Sequence, residues 1–217
     1  MSGAERGRHA AQEWDARYAH GPVWTREPNV WVRREVEHLA PGRALDLAAG
    51  DGRHAVWLAS LGWSVTAVDI SAEGVRVGTE LTSRARATGL AGDVTWVVAD
   101  ARCAVVAPRS ADLVVVAYLH LPADDLALAL AHAADAVAPG GRAVVVGHDA
   151  RNLAEGVGGP RDPAVLTSTS LVTGALTGRG LEVVRAEVAA RAVDGADRPA
   201  LDTVVVATRP SEPSRVE

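Results

Sequence analysis

Residues 44–59 read ALDLAAGDGRHAVWLA, and the fold of the chain is interpreted outward from this stretch. It opens with four residues typical of a short buried strand that contains an acid, Asp46. Small residues and two glycines follow as far as Gly52, and residues 53–60 have the character of the first turns of a helix. A strand, a glycine turn and a helix N-terminus form a nucleotide-binding corner, because glycine has no Cβ to keep a ligand from the backbone.

The composition favours one α/β domain and excludes several partners. The chain has 217 residues and a formal net charge of −5, with no lysine and no long basic run, so a nucleic-acid partner is not expected. Cys103 is the single cysteine and is expected to be a small buried apolar side chain in a protein of a reducing compartment. The N-terminal segment does not read as a signal peptide, and the longest apolar run is too short to cross a bilayer. We therefore expect a soluble, cytoplasmic protein.

Strand and helix patterns alternate five times along the chain before two final strand patterns. This order predicts a mainly parallel, doubly wound sheet with helices on both faces and a C-terminal antiparallel hairpin, seven strands in all. The seven predicted strands span residues 44–47, 63–69, 94–99, 111–117, 142–147, 181–193 and 203–208.

Polar residues follow the apolar part of five of these strands. The carboxyl ends of parallel strands meet at one edge of a sheet, where ligands bind, so these residues are expected to line one cleft. They are Asp46, Asp69, Asp100, residues 118–120 and His148-Asp149. Asp69 follows Gly50 by 19 residues, close to the spacing at which nucleotide-binding folds place a carboxylate for a ribose diol. Ser71 is then expected to cap the next helix.

We divide the chain into a helical prelude or lid (residues 1–40), the main domain (residues 41–209) and a flexible tail (residues 210–217). Within the prelude, residues 1–9 are expected to be disordered and residues 10–19 to form a helix. Tyr18 and Trp24 belong to a group of aromatic side chains that either anchor the prelude to the core or wall a small-molecule pocket. Residues 150–163 are expected to form a long loop, a kind of segment that is often functional.

From residue 44 to 208 the chain resembles the class I S-adenosylmethionine-dependent methyltransferases. The first motif of that family appears as residues 46–52, with Ala48 in place of the usual first glycine. The resemblance also covers Asp69 as the ribose acid, Asp100-Ala101 as the adenine contact and the Pro-Gly-Gly of residues 139–141. It implies S-adenosylmethionine as cofactor and these contacts for it: Asp46, Ala48, Gly50, Gly52, Asp69, Ile70, Asp100, Ala101 and Leu119.

The prelude is similar to that of the tellurite-resistance and thiopurine methyltransferases. The similarity rests on the WDARY segment of residues 14–18, on Trp24 and on Pro28-Asn29. It implies a small-molecule acceptor that can be soft, such as a thiol, selenium or tellurium species, or a metabolite nitrogen or oxygen. The acceptor itself and the oligomeric state stay open.

The main alternative is an NAD(P)-dependent oxidoreductase, because Gly50-x-Gly52-x-x-Ala55 also fits the dinucleotide fingerprint. Asp46 argues against it, since a carboxylate there repels a pyrophosphate and attracts the methionyl ammonium. A non-catalytic protein that binds S-adenosylmethionine is a further alternative.

Methyl transfer depends mainly on alignment and exclusion of water, and a general base is needed only for some acceptors. The candidates for that base are His148, His120 and Tyr118, because a histidine titrates near neutral pH. The candidate acceptor contacts are Tyr18, Trp24, Arg53 and Asp149. His54 is expected to be structural or surface-exposed. The remaining histidines have no metal-ligand spacing, so no metal is expected.

Overall fold

The computed structural model of the protein describes residues 3–211. The predicted tail, residues 210–217, lies outside that range except for its first two residues. The chain divides into two compact units, Met1–Val105 and Val106–Glu217. The helices are α1 (Gly3–Tyr18), α2 (Val30–Val36), α3 (Arg53–Ser60), α4 (Ala72–Ala87), α5 (Ala123–Ala136), α6 (Asn152–Glu155) and α7 (Thr169–Thr177). The strands are β1 (Arg43–Leu47), β2 (Ser64–Asp69), β3 (Asp93–Val98), β4 (Ala111–Ala117), β5 (Val137–His148), β6 (Glu182–Arg191) and β7 (Ala200–Thr208).

The seven strands of the described sheet have the order β3-β2-β1-β4-β5-β7-β6. Strand β2 pairs in parallel with β1 and β3, and β4 pairs in parallel with β5. Strand β7 pairs antiparallel with both β5 and β6, which forms the expected C-terminal hairpin. The predicted Rossmann-like, mainly parallel seven-stranded sheet is thus confirmed.

In the first unit, the side chains of β1 from Ala44 to Leu47 are buried on both faces of the sheet. Leu45 and Leu47 are at most 1% exposed, and Leu58 of α3 is fully buried. Leu47 pairs with Val68, so β1 and β2 end close together in register. This register places the turn after β1 beside the acid that ends β2.

The first helix corrects one expectation. Residues 3–9 are helical rather than disordered, since α1 begins at Gly3. Helix α1 packs against α4, and Tyr18 near its end is 2% exposed. Packing of this kind stabilises helical turns that local sequence alone would leave marginal.

In the second unit, the core is a valine-rich layer. Val144 pairs with Val206 across β5 and β7, and both are fully buried. The predicted loop of residues 150–163 is partly wrong, because it contains the short helix α6 and reaches a 3-10 helix at Pro163–Val165.

Two further observations bear on the sequence-based expectations. Cys103 is exposed, so its expected burial is wrong. None of the described helices is both long enough and apolar enough to cross a membrane.

Candidate active site

The turn after β1 has an unusual backbone. Ala48, Gly50 and Gly52 all have positive φ angles, of 64°, 60° and 86°. Glycine adopts this region without cost, whereas an alanine does so at about 1–2 kcal/mol. The departure from the family motif at Ala48 therefore falls at a position whose conformation favours glycine.

Asp69, at the end of β2, joins this turn to the next helix. Its Oδ2 accepts a hydrogen bond of 2.7 Å from the Gly50 N–H, and its Oδ1 accepts one of 2.9 Å from the Ser71 N–H. The side chain of Ser71 caps α4 by accepting from the Gly74 N–H, as expected. Burial raises the pKa of Asp69 above its usual value, and the two backbone N–H groups oppose that shift. The carboxylate is thus fixed at the carboxyl end of β2, beside the glycine turn.

Asp46 of β1 is the least satisfied polar group of the corner. It is 1% exposed, and neither carboxylate oxygen has a hydrogen-bond partner of ordinary geometry within residues 3–211. Burial raises the pKa of Asp46 to about 7, and the charge of Asp69 adds to the increase. A buried carboxyl without partners is costly, so a cation that binds here would be strongly favoured.

Tyr18 and Trp24 of the prelude lie against the glycine turn. A Cβ at Gly50 would lie 2.5 Å from the Tyr18 hydroxyl, which accepts a 3.2 Å hydrogen bond from Trp24 Nε1. Asp51 Oδ2 accepts from the backbone N–H groups of Val23 at 2.8 Å and Trp24 at 3.2 Å. The prelude aromatics were expected either to anchor the prelude to the core or to wall a pocket. Tyr18 is buried, as an anchor would be, whereas Trp24 is 46% exposed.

Asp15 gives the prelude a second attachment. Its Oδ1 accepts from the Ser71 hydroxyl at 2.6 Å and from the Glu73 N–H at 3.0 Å, at the start of α4. Together with the Asp51 bonds, this places the prelude over the corner from two sides. The corner is accordingly a covered site.

His54 of α3 is structural. It is 5% exposed, and its Nε2 accepts a 3.2 Å hydrogen bond from the Asn29 N–H. Burial lowers the pKa of His54 to about 3, and the nearby Arg53 charge adds to the decrease. The imidazole is therefore a neutral acceptor that fixes the start of α2.

Asp100 and its neighbours complete the first unit's candidates. Arg102 donates to Asp100 from its backbone N–H at 2.9 Å and from its guanidinium. Burial acts to raise the pKa of Asp100, but the Arg102 hydrogen bonds outweigh it and the pKa falls below its usual value. Ala101 is 7% exposed and Ile70 is half-buried. The Asp100 carboxylate is thus bound by this chain's own arginine.

In the second unit, the three candidate bases lie together. The ring centroids of Tyr118 and His148 are 4.8 Å apart, and those of His120 and His148 are 5.7 Å apart in a stacked arrangement. Tyr118 has a φ of 58°, a strained conformation of a kind that clusters at functional sites. Leu119, between Tyr118 and His120, is half-buried.

Asp202 and Arg191 organise this cluster, and the sequence interpretation missed both. Asp202, fully buried on β7, pairs in register with His148, and its Oδ1 lies 3.5 Å from His148 Nδ1. Its Oδ2 accepts from the Tyr118 hydroxyl at 3.0 Å and from Arg191 Nε at 2.7 Å. The available signal was an acid inside an otherwise apolar strand.

The environment of His148 favours the neutral form of its imidazole. Burial lowers the pKa of His148, Asp202 opposes that change and Arg191 reinforces it. The adjacent acid, Asp149, has a different environment. It is 3% exposed and accepts from Thr203 Oγ1 at 2.7 Å and from the Arg151 N–H at 3.0 Å. Asp149, predicted as an acceptor contact, therefore binds its own chain.

The structure resembles solved structures over most of its length. It matches a protein solved in a study titled "Conversion of a Disulfide Bond into a Thioacetal Group during Echinomycin Biosynthesis", with a TM-score of 0.72, 22% identity and 95% of each chain covered. It matches TehB from Haemophilus influenzae with a TM-score of 0.67 and 15% identity, over 84% of this chain and 62% of that one. It also matches magnesium protoporphyrin IX methyltransferase from Synechocystis PCC 6803 with bound S-adenosylmethionine, with a TM-score of 0.61 and 17% identity, over 96% and 85% of the chains.

These matches define the class: a Rossmann-like fold of the methyltransferase type. Residues 44–141 match the family model described as a methyltransferase domain. The family match agrees with the resemblance inferred from the motifs over this stretch of the chain.

A curated relative matches a shorter stretch. Ribosomal RNA small subunit methyltransferase C from Alcanivorax borkumensis is 43% identical over 54 residues, which are 25% of this chain. The match spans 16% of that relative's own length.

Proposed function

We propose that the protein transfers the methyl group of S-adenosylmethionine to a small nucleophilic molecule, with His148 as proton acceptor where the nucleophile carries a proton. The buried carboxyl of Asp46, whose oxygens have no hydrogen-bond partner of ordinary geometry within residues 3–211, carries this proposal. A methionyl ammonium beside it would add hydrogen bonds and positive charge to the weak contributions of the Ala55 N–H and of Arg53. A dinucleotide pyrophosphate would add a negative charge instead.

Four groups of the corner would hold the cofactor. Asp46 would receive the ammonium, and Asp69, already fixed by the Gly50 and Ser71 N–H groups, would accept from the ribose hydroxyls. Gly50 and Gly52, both at positive φ, shape the turn, and their missing Cβ atoms leave room for the side chains of Tyr18 and Trp96. The remaining proposed contacts, carried over from the motif resemblance, are Ala48, Ile70, Asp100, Ala101 and Leu119.

The bound cofactor supplies a methyl group on a sulfonium, which a nucleophile can displace. The nucleophile's lone pair forms the new bond to carbon while the carbon–sulfur bond breaks. A proton released by the nucleophile would pass to His148 Nε2, since His148 Nδ1 faces Asp202. Asp202 would act as a positioning residue, because a carboxylate at one ring nitrogen fixes the orientation of the imidazole.

A soft acceptor is the preferred class within this proposal. The prelude motif resembles that of the tellurite-resistance and thiopurine enzymes, and TehB is among the similar folds. A fold neighbour from a study of the conversion of a disulfide bond into a thioacetal group also supports a sulfur acceptor. Tyr18, Trp24, Arg53 and Asp149 stay the proposed acceptor contacts. An exposed, free Cys103 supports a reducing, cytoplasmic setting.

Two measurements test the proposal. A thermal-shift screen should give stabilisation by S-adenosylmethionine and S-adenosylhomocysteine but not by NAD or NADP, because a ligand that binds the native state raises its melting temperature. Methyl transfer is then measured by mass spectrometry against thiols, selenite, tellurite, amines and carboxylates. For an acceptor that titrates, His148→Gln should remove the acidic limb of the pH–rate profile, and an unaltered limb would remove His148 from the base role.

A further inference from the structure

A cavity of about 290 Å³ opens beside the corner, within the first unit. Its apolar lining comes from Val56 of α3 and from Leu81 and Ala85 of α4, and Trp24 forms part of the wall. This volume is near the lower end of the range for small-molecule sites.

Three arginines from separate elements converge on this cavity. Arg26 comes from the segment before α2, Arg53 from the first residue of α3 and Arg84 from the second half of α4. The protein as a whole has a net charge of −5, so the excess of basic residues in this lining is opposite in sign to the net charge. A concave site with clustered guanidinium groups favours anions.

The charge of Asp51, the one acid in the lining, interacts with that of Arg53. Asp51 is 2% exposed and its Oδ2 already accepts from the Val23 and Trp24 N–H groups. Glu80 lies 4.0 Å from Arg84 but forms a shorter contact of 2.6 Å with Arg76. The guanidinium of Arg84 is therefore only weakly paired with Glu80.

We propose that this cavity binds a small organic anion, in which a phosphate or carboxylate faces Arg26, Arg53 and Arg84 and a flat apolar body lies against Trp24, Val56 and Leu81. Arginine forks bind both kinds of oxyanion in a bidentate manner, and the exposed indole offers an apolar face. The binding of such an anion does not depend on the proposed methyl transfer.

Titration calorimetry at low ionic strength tests the site with phenyl phosphate, benzoate and the neutral analogue benzamide. We expect either anion to bind at least ~10-fold more tightly than benzamide, and its affinity to fall as salt is added, because exposed charges are screened. Arg26→Gln and Arg84→Gln should each weaken the anion about 5-fold or more. Both positions are exposed, so neither substitution should prevent folding.

Arg86→Gln is the matched control, because Arg86 is an exposed arginine of the same helix that pairs with Asp93 and does not line the cavity. It should leave anion affinity within about 2-fold, and Arg84→Gln should leave S-adenosylmethionine affinity within the same margin. Absence of anion binding, equal affinity for benzamide, or unchanged anion affinity in both Arg26→Gln and Arg84→Gln would overturn the proposal. Failure to bind S-adenosylmethionine would contradict the proposed function and leave this result unaffected.

Discussion

The carboxylate of Asp69 accepts a 2.7 Å hydrogen bond from the backbone N–H of Gly50, nineteen residues earlier in the chain. The acid that the motif assigns to the ribose therefore also fixes the glycine turn before any ligand binds. Its second oxygen fixes the start of α4 through the Ser71 N–H. A ribose would thus meet a carboxylate whose orientation is already set, which reduces the cost of ordering it on binding.

Ala48→Gly should stabilise the fold. Ala48 has a φ of 64°, and relief of this left-handed strain outweighs the greater unfolded-state entropy of glycine, for a net gain of up to about 1 kcal/mol. Urea denaturation measures the change. Ala49→Gly is the control, since Ala49 does not have a positive φ. This substitution should destabilise the protein. A destabilised Ala48→Gly protein would contradict the account of the turn.

Asp46 should make the free energy of unfolding fall as pH rises. Its folded pKa of about 7 lies above the unfolded value of 3.8, so native protein binds more protons and stability falls as pH rises between these values. The loss can reach about 4 kcal/mol. Asp46→Asn should therefore gain stability relative to the natural protein as pH rises from 4 to 8. If the difference in stability between Asp46→Asn and the natural protein stays constant with pH, the pKa of Asp46 is not raised.

His54 should have the opposite effect. Its folded pKa of about 3 lies below the unfolded value of 6.5, so the unfolded chain takes up a proton first as pH falls. Its contribution is present above pH 6.5 and is lost as pH falls toward 3, by an amount on the order of 4 kcal/mol. His54→Gln keeps an acceptor for the Asn29 N–H but does not titrate. The melting temperature of that variant should therefore fall less steeply from pH 7 to pH 4 than that of the natural protein.

Gly78→Ala should destabilise the protein although it lies in a helix, where alanine is ordinarily better by ~1 kcal/mol. A Cβ at Gly78 would lie 2.2 Å from Trp96, whose indole is held by a 3.1 Å hydrogen bond to Thr82. We expect a loss of ~1–3 kcal/mol by chemical denaturation. Gly174→Ala in α7 is the control, because its Cβ would meet nothing within 4 Å. An equal gain in stability in Gly78→Ala and Gly174→Ala would contradict the packing at Trp96.

The parallel strands and the glycine turn were accessible from the sequence because their signals are local. Each parallel strand is a short apolar run that ends near a polar residue. The 19-residue spacing from Gly50 to Asp69 predicted a ribose contact, which stays a prediction, and the structure shows a hydrogen bond between these two residues. Ala48 was recognisable as a departure because the motif prescribes a glycine there. These features depend on backbone conformation and burial, which short stretches of sequence encode.

The organisation of the histidine cluster was not accessible in this way. Asp202 meets His148 because β7 pairs antiparallel with β5, and Arg191 meets Asp202 through the hairpin with β6. Such registers depend on partners distant in the chain. The helical turns of residues 3–9 and the exposure of Cys103 were also mispredicted, since tertiary packing decides both.

The most direct test of the account is titration calorimetry of S-adenosylmethionine with the natural protein and with Asp69→Asn. We predict binding to the natural protein and a loss of at least ~10-fold in Asp69→Asn, because neutralising the carboxylate weakens charge-assisted bonds to the ribose. Asp93→Asn, an exposed acid of β3 paired with Arg86, should bind normally. Circular dichroism checks that each variant is folded. Unchanged affinity in folded Asp69→Asn, or binding of NAD in place of S-adenosylmethionine, would contradict the account.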